Sequence, residues 1–264
     1  MDAPTARDNH SPKTPRPGAG EPTICAVVPF LDEEERLAGI LEQLSEQPGE
    51  QLGRHRIDEI VAVDGGSRDR SLEIARKHAD RVLSASGGLA SQLNLGARDT
   101  EAEILFFVYA DSILPADFRR TITETLCDPG CVGGAFPLAL DEERLLYRLI
   151  AFGANLRTRL GLGPFGDQGL FVRRSAFQEI GGYRPQPILE DFDLVARLRT
   201  LGSFRIAGSP LRSSTRRWRE HGVLKTTAHH WWALGRHLTG KHRAASNGCA
   251  LDRVRTGGRS RSTP

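Results

Sequence analysis

Three short stretches place carboxylates where an apolar run gives out: Pro29-Phe30-Leu31-Asp32-Glu33, Asp64-Gly65-Gly66-Ser67 and Tyr109-Ala110-Asp111. Open parallel sheets bind ligands outside the carboxyl ends of their strands, so these are positions from which side chains can do chemistry. Asp64 is followed by two glycines, which let the backbone turn sharply and approach a ligand. Its carboxylate can accept a hydrogen bond from the imide N–H of a pyrimidine base, or it can cap the turn. Ser67 and Asp69 can cap the next helix without any ligand. Asp111 can serve as an oxygen ligand for Mg²⁺ or Mn²⁺, or as a turn cap. No Gly-x-Gly-x-x-Gly follows the first apolar run, and no Gly-x-x-x-x-Gly-Lys-Ser/Thr occurs anywhere. A pyrophosphate bound without such loops calls for a divalent metal.

Two later groups add to these. Glu190 and Asp191 head a helical pattern whose apolar face is Leu194, Val195 and Leu198. Successive helical residues point about 100° apart, so the two carboxylates need not share a cleft. Either can be a helix-start carboxylate held by the helix dipole. His221 follows Arg216-Arg217-Trp218-Arg219-Glu220 and reads as a metal ligand or as a surface histidine in a basic loop. Trp218 can stack on a sugar or pack against the domain.

The elements that must position these groups alternate. Runs at 23–31, 57–64, 81–85 and 103–111 read as strands, and 33–47, 69–79 and 89–98 as helices, with another opening at Pro115. Repeated βα units imply a mostly parallel sheet covered by helices. Beyond them, 132–140, 169–174 and 205–212 read as strands and 189–201 as a helix. Residues 142–160 form an amphipathic helix with Leu145, Leu149, Phe152, Leu156 and Leu160 at spacings of three and four.

Composition bounds the rest. The chain has 264 residues, is 39% hydrophobic and carries a net charge of +3, which leaves no room for collagen-like, fully disordered or disulfide-framework readings. No run approaches the roughly 20 apolar residues of a membrane span, and a secretory signal is not expected. Cys127 and Cys131 have no histidine nearby, which argues against zinc. A cytoplasmic protein is expected, with peripheral contact at the inner face of a membrane as an option. Residues 212–264 hold 12 basic and 2 acidic side chains, so an anionic partner near that end is expected. Nucleic acid does not fit, for want of any recognition signature. Segment 223–238, with Trp231 and Trp232 beside Lys225 and Arg236, suits a membrane interface or packing across the domain. The expected organisation is a disordered leader at 1–22, one domain at 23–239 and a basic disordered tail at 240–264.

Taken in order, Val28-Pro29-Phe30-Leu31-Asp32-Glu33, Val63-Asp64-Gly65-Gly66-Ser67-Arg68-Asp69, Asn94-Leu95-Gly96-Ala97 and Tyr109-Ala110-Asp111 resemble the nucleotide-binding half of a family 2 glycosyltransferase. Gly166-Asp167-Gln168, Gly181-Gly182-Tyr183 and Glu190-Asp191 resemble its second half. Gly166-Asp167-Gln168 and Arg216 through Gly222 look closest to the arsenosugar-biosynthesis subgroup, associated with radical-SAM and selenodomain proteins.

The resemblance implies a GT-A fold, a Rossmann-like three-layer α/β sandwich, and sugar transfer from a UDP- or GDP-sugar to an unidentified acceptor, metal-dependent and inverting. By carry-over, Pro29, Phe30 and Glu33 border the base and ribose, Asp64 with Gly65 and Gly66 holds the base edge, and Asn94 joins the nucleotide site. Asp111 is the metal-binding end of an Asp-x-Asp-like motif, with His221 as a second ligand, and the metal is Mg²⁺ or Mn²⁺. Asp191 is the general base, and Glu190, Asp167, Gln168 and Trp218 contact substrate. The sequence departs from the pattern at Tyr109, where the family has Asp, at Asp32, usually Asn, and at Leu89 and Ser91, often basic in the subgroup. Two rivals remain: a nucleotidyltransferase, and a degenerate sugar-nucleotide-binding or membrane-associated protein without transferase activity.

Overall fold

Strand β1 (Ile24–Phe30) is buried along its whole length, as an unbroken apolar run requires of a central strand covered on both faces. The computed structural model describes residues 20–45, 57–142, 144–164, 166–186 and 190–215. Residues 1–19 of the expected leader, the tail, segment 223–238, Trp218 and His221 lie outside the described residues.

After β1 come α1 (Leu37–Ser45), β2 (Glu59–Asp64), α2 (Ser71–His78), β3 (Arg81–Ser84), α3 (Leu89–Arg98) and β4 (Ile104–Phe107). Then follow β5 (Ser112–Ile113), α4 (Phe118–Thr125), β6 (Cys131–Ala135), β7 (Leu138–Leu140) and α5 (Leu145–Arg157). The chain continues through β8 (Leu170–Arg173), α6 (Arg174–Glu179), α7 (Glu190–Leu198), β9 (Ser203–Ile206) and β10 (Leu211–Ser213). The main sheet runs β3-β2-β1-β4-β8-β6-β9. Its first four strands are parallel, β8 is antiparallel to β4 and β6, and β9 runs parallel to β6. The chain steps from β1 to β2 on one side and sets β4 on the other. The crevice between the ends of β1 and β4 is therefore the switch point where such sheets bind ligands.

Alternation along β1 divides the core in two. Ile24, Ala26 and Val28 join Leu37, Ile40, Leu41 and Leu44 of α1 and Phe118 and Ile122 of α4. Cys25 and Val27 face the other way, into Leu93 of α3 and Leu194 and Leu198 of α7. Burial of each such Leu or Ile stabilises by roughly 1.5–3 kcal/mol, so both helical layers are held firmly. At the start of β1, buried Arg119 donates to Asp58 Oδ2 at 2.7 Å, and the same oxygen accepts the Ile24 N–H at 2.8 Å.

Three expectations are corrected. The run at 205–212 is not one strand: it holds the end of β9, in the main sheet, and the start of β10, in the small sheet, with Pro210 between them. The run at 132–140 is two strands in two sheets: β6 belongs to the main sheet, while β7 pairs with β10 in a small sheet ordered β5-β10-β7. Pro137 stands between them, and with no N–H it cannot continue the ladder. The run at 103–111 is a strand only over Ile104–Phe107, and Tyr109 to Asp111 form the turn into β5.

The stripe of α5 also faces an unusual way. Asn155 receives the Leu138 N–H at 2.8 Å and donates to the Leu138 carbonyl at 2.9 Å, which pins one side of the helix to β7. Tyr147 and Ala151 are buried, whereas Leu145, Leu149, Phe152 and Leu156 are exposed.

Candidate active site

The loops after β1 and β2 are stitched to each other. Asp64 Oδ1 accepts the Ser67 N–H at 2.9 Å and the Ser67 hydroxyl at 2.7 Å, the geometry of a turn cap. Asp32 is the one non-glycine residue with positive φ (52°) among those described. Asn and Asp tolerate that region best, which accounts for an Asp where the family has Asn. Its Oδ1 accepts the Arg68 N–H at 2.7 Å. The Glu33 N–H donates to the Ser71 hydroxyl at 2.8 Å, and the Glu34 N–H to Asp69 Oδ2 at 3.1 Å. Gly66 sits at φ 103°, and a side chain on Gly65 would strike Gln92 Nε2. The glycine pair thus serves the turn and the close approach of α3.

Several expected ligand contacts are used up inside the protein. Phe30 lies in the hydrophobic core, and Pro29 is buried in β1 beside Val63, so neither side chain opens onto a cleft. Asn94 donates to the Tyr183 carbonyl and accepts the Tyr183 N–H, both at 2.8 Å. Its amide ties α3 to the turn at Gly181 and Gly182. Gln168 is fully buried, donates to the Phe136 carbonyl at 3.1 Å and accepts the Thr158 hydroxyl at 3.2 Å. Strand alternation and loop packing consume these groups, which a motif reading cannot see. Glu33, Asp111, Asp167 and Glu190 stay partly exposed.

Asp191 has the most distinctive setting. It opens α7 and is buried together with Phe192, Leu194 and Val195. Its Oδ2 accepts the Gly166 N–H at 2.8 Å, while Oδ1 is buried without a hydrogen-bond partner. A Cβ on Gly166 would meet Asp191 Oδ2 at 2.7 Å and would also strike the Tyr109 hydroxyl, so the base candidate and the β4 end converge on this glycine. Burial, then Glu190 and Asp167, raise the Asp191 carboxyl to about 7, against the lowering pull of the Gly166 N–H and Tyr183. A helix N-terminus acting alone would lower it, by ~0.3–1 kcal/mol. Desolvation wins, and the carboxyl is poised near neutrality. The same burial, with Asp191 adjacent, pushes the Tyr183 phenol well above its ordinary value.

The loop that carries Gly166 is braced from behind. After α5 comes a π-helical turn over Thr158–Leu162, and buried Arg157 directs its Nε–H at the Gly163 carbonyl. From the other side, Arg197 of α7 holds the carbonyls of Ile180 and Gly182 at 2.8 Å. Sequence reading missed Tyr183, Arg157 and Arg197 as builders of the site. Each acts across a loop, with no spacing rule to announce it.

Whether these residues suit a divalent cation follows from their donors. No group of three or more His, Cys, Asp or Glu side chains is placed to hold a metal ion among the described residues. A resident, fully protein-bound ion is therefore not what they suit. Mg²⁺ is commonly held by one or two carboxylates together with substrate phosphates, and a single partly exposed Asp111 at the switch point fits that arrangement.

The family model described as glycosyl transferase family 2 matches residues 25–181. Beta-monoglucosyldiacylglycerol synthase from Synechocystis sp. is 28% identical over 198 residues, covering 67% of this chain and 40% of the relative. The chain thus spans about two-fifths of the length of this curated relative. Among solved structures, the mannosyltransferase PcManGT from Pyrobaculum calidifontis, in complex with GDP-Man and Mn²⁺, aligns with a TM-score of 0.57 at 20% identity, covering 74% of this chain and 57% of that one. Glucosyl-3-phosphoglycerate synthase from Mycobacterium tuberculosis, in complex with Mn²⁺, UDP and phosphoglyceric acid, aligns with a TM-score of 0.56 at 20% identity, covering 80% of each chain. These likenesses establish the GT-A-like fold.

Proposed function

This chain belongs to glycosyl transferase family 2, and from that premise we propose that it moves a sugar from a UDP- or GDP-sugar to an acceptor hydroxyl with inversion, using Asp191 as the general base. The observation that carries this reading is the state of Asp191. One oxygen is anchored on the Gly166 N–H, the other is buried without a partner, and the carboxyl is raised to about 7. A buried acceptor atom is costly to leave without a donor; the Tyr183 hydroxyl approaches the carboxyl from within the protein, and on this reading an incoming acceptor hydroxyl takes the second oxygen. General bases work best with a pKa near the working pH.

In the reaction, the acceptor oxygen forms the new bond to the anomeric carbon as the bond from that carbon to the diphosphate oxygen breaks. The acceptor proton passes to Asp191 Oδ1, and the nucleoside diphosphate leaves. On this reading the Asp64 carboxylate meets the base edge, and the stitched loops after β1 and β2 form that wall. Asp111, together with the donor diphosphate, would hold Mg²⁺ or Mn²⁺, which supplies positive charge to the leaving group. On this reading the catalytic domain is the span 23–239 expected from the sequence, of which 216–239 lie outside the described residues. The narrower placement, in the arsenosugar-biosynthesis subgroup, rests on Gly166-Asp167-Gln168 and the Arg216 to Gly222 stretch.

A donor-hydrolysis screen over nucleotide-sugars, with Mn²⁺ present, tests the assignment. Release of a nucleoside diphosphate from one donor supports it. Pyrophosphate release from a nucleoside triphosphate would replace it with a nucleotidyltransferase. Tight nucleotide binding without turnover over a broad acceptor panel would leave a binding protein.

A further inference from the structure

Among the described residues, nine large hydrophobic side chains are exposed, and six of them fall on one short stretch: Leu145, Leu146, Leu149, Phe152, Leu156 and Leu160. Scattered exposed leucines mean little, but a concentration of this kind marks an interaction surface. Each is between 44 and 71% exposed. The orientation is built in, because Asn155 clamps the opposite side of α5 to the Leu138 backbone and Tyr147 and Ala151 fill the space beneath. The stripe cannot roll inward without breaking both Asn155 bonds.

The charges around the stripe identify what it fits. Between Leu145 and Leu160 there is no acidic residue, while Arg148 and Arg159 are exposed along the stripe; Arg144, just before it, pairs with Glu142 at 3.3 Å. An apolar stripe bordered by arginines is the pattern of a helix lying in a bilayer interface, its apolar side among acyl chains and its cations at anionic headgroups.

We propose that the outer face of α5 docks this protein onto an anionic lipid bilayer. The docked helix runs through the Thr158–Leu162 turn into Gly163 and Gly166, whose N–H holds Asp191. The membrane surface would therefore lie next to the loop whose Gly166 anchors the base. The docking itself does not depend on which sugar is transferred, or on whether any is.

Co-sedimentation of the full chain with phosphatidylcholine vesicles, with and without phosphatidylglycerol, tests this. Binding is expected to require phosphatidylglycerol and to weaken as salt rises. The double variant Leu149→Ser/Phe152→Ser should bind roughly tenfold or more weakly, since two interfacial side chains are lost. Arg148→Glu should weaken binding roughly fivefold or more. Both changes are at exposed positions, and unchanged circular dichroism and thermal midpoint verify the fold. Wild-type indifference to anionic vesicles overturns the proposal. So does wild-type-like binding by the folded double variant, which would assign the attraction elsewhere in the chain. A wild-type dimer that the double variant splits, with vesicle binding unaltered, would give the face to a second copy instead. Donor hydrolysis measured without vesicles reads the transferase assignment separately.

Discussion

The backbone N–H of Gly166 donates to Asp191 Oδ2 at 2.8 Å and fixes one oxygen of a carboxyl whose other oxygen is buried, with the Tyr183 hydroxyl acting on the same group. A helix-start aspartate that served only as a cap would turn its oxygens to its own first-turn N–H groups. This one bonds 25 residues back along the chain. The bond joins the loop after α5 to the start of α7.

Replacing the carboxyl with an amide of the same shape separates anchoring from basicity. Asp191→Asn keeps an oxygen for the Gly166 N–H, so donor affinity measured by calorimetry should be unchanged. Sugar transfer should fall by roughly 10²–10⁴, the usual share of general-base catalysis. Wild-type transfer should rise as pH passes through about 7, where Asp191 loses its proton, and the variant should lack that limb. Wild-type transfer rates in the variant would reduce Asp191 to a helix-start carboxylate.

The same carboxyl sets a pH dependence of stability. Between about pH 4 and 7 the unfolded chain has released a proton that folded Asp191 still holds. The unfolded state binds fewer protons there, so stability falls as pH rises through that window and levels off above it. The loss is on the order of 4 kcal/mol at about 1.4 kcal/mol per unit of pKa. Urea titrations should therefore find Asp191→Asn more stable than wild type at pH 8, with the gap closing towards pH 4. A gap of constant size would show that the carboxyl is not held protonated.

Gly166 admits nothing larger. In Gly166→Ala the new Cβ would stand 2.7 Å from Asp191 Oδ2 and against the Tyr109 hydroxyl, so the base must move. Overpacking of this kind costs roughly 1–3 kcal/mol. Transfer should drop more than tenfold while nucleotide affinity holds, since the β1 and β2 loops are untouched. Undiminished transfer would show that the tight approach is not needed.

The cation should arrive with the nucleotide. Calorimetry should find that Mn²⁺ strengthens UDP or GDP binding in wild type and not in Asp111→Asn. Mn²⁺ alone should bind weakly, because no cluster of three ligating side chains is present among the described residues. Retained Mn²⁺ enhancement in Asp111→Asn would remove Asp111 from the site.

Far from the site, the Asp58–Arg119 pair tests the foundation of β1. Asp58→Ala leaves a buried guanidinium without its carboxylate and the Ile24 N–H without its acceptor. A destabilisation of about 3–5 kcal/mol is expected in urea unfolding, as for other broken buried pairs. A loss under ~1 kcal/mol would mean that the pair behaves as an exposed one.

The sequence alone determined the βα alternation, the strand ends at Phe30 and Asp64 and the helix that presents Asp191. Uninterrupted apolar runs, glycine turns and a 3.6-residue period are local signals, readable without knowing what packs where. It also carried the motif order that marks the family. Tertiary structure decided the rest. Asn94 and Gln168 look like ligand-binding amides in a motif, yet partners far along the chain consume them: the Tyr183 backbone for Asn94, and Thr158 and Phe136 for Gln168. The stripe on α5 is plain in the sequence, but periodicity fixes only that a face exists. Two bonds from Asn155 to Leu138 turned it outward. The proton affinity of Asp191 was likewise invisible, because desolvation and the nearness of Glu190, Asp167 and Tyr183 exist only once the loops have closed around it.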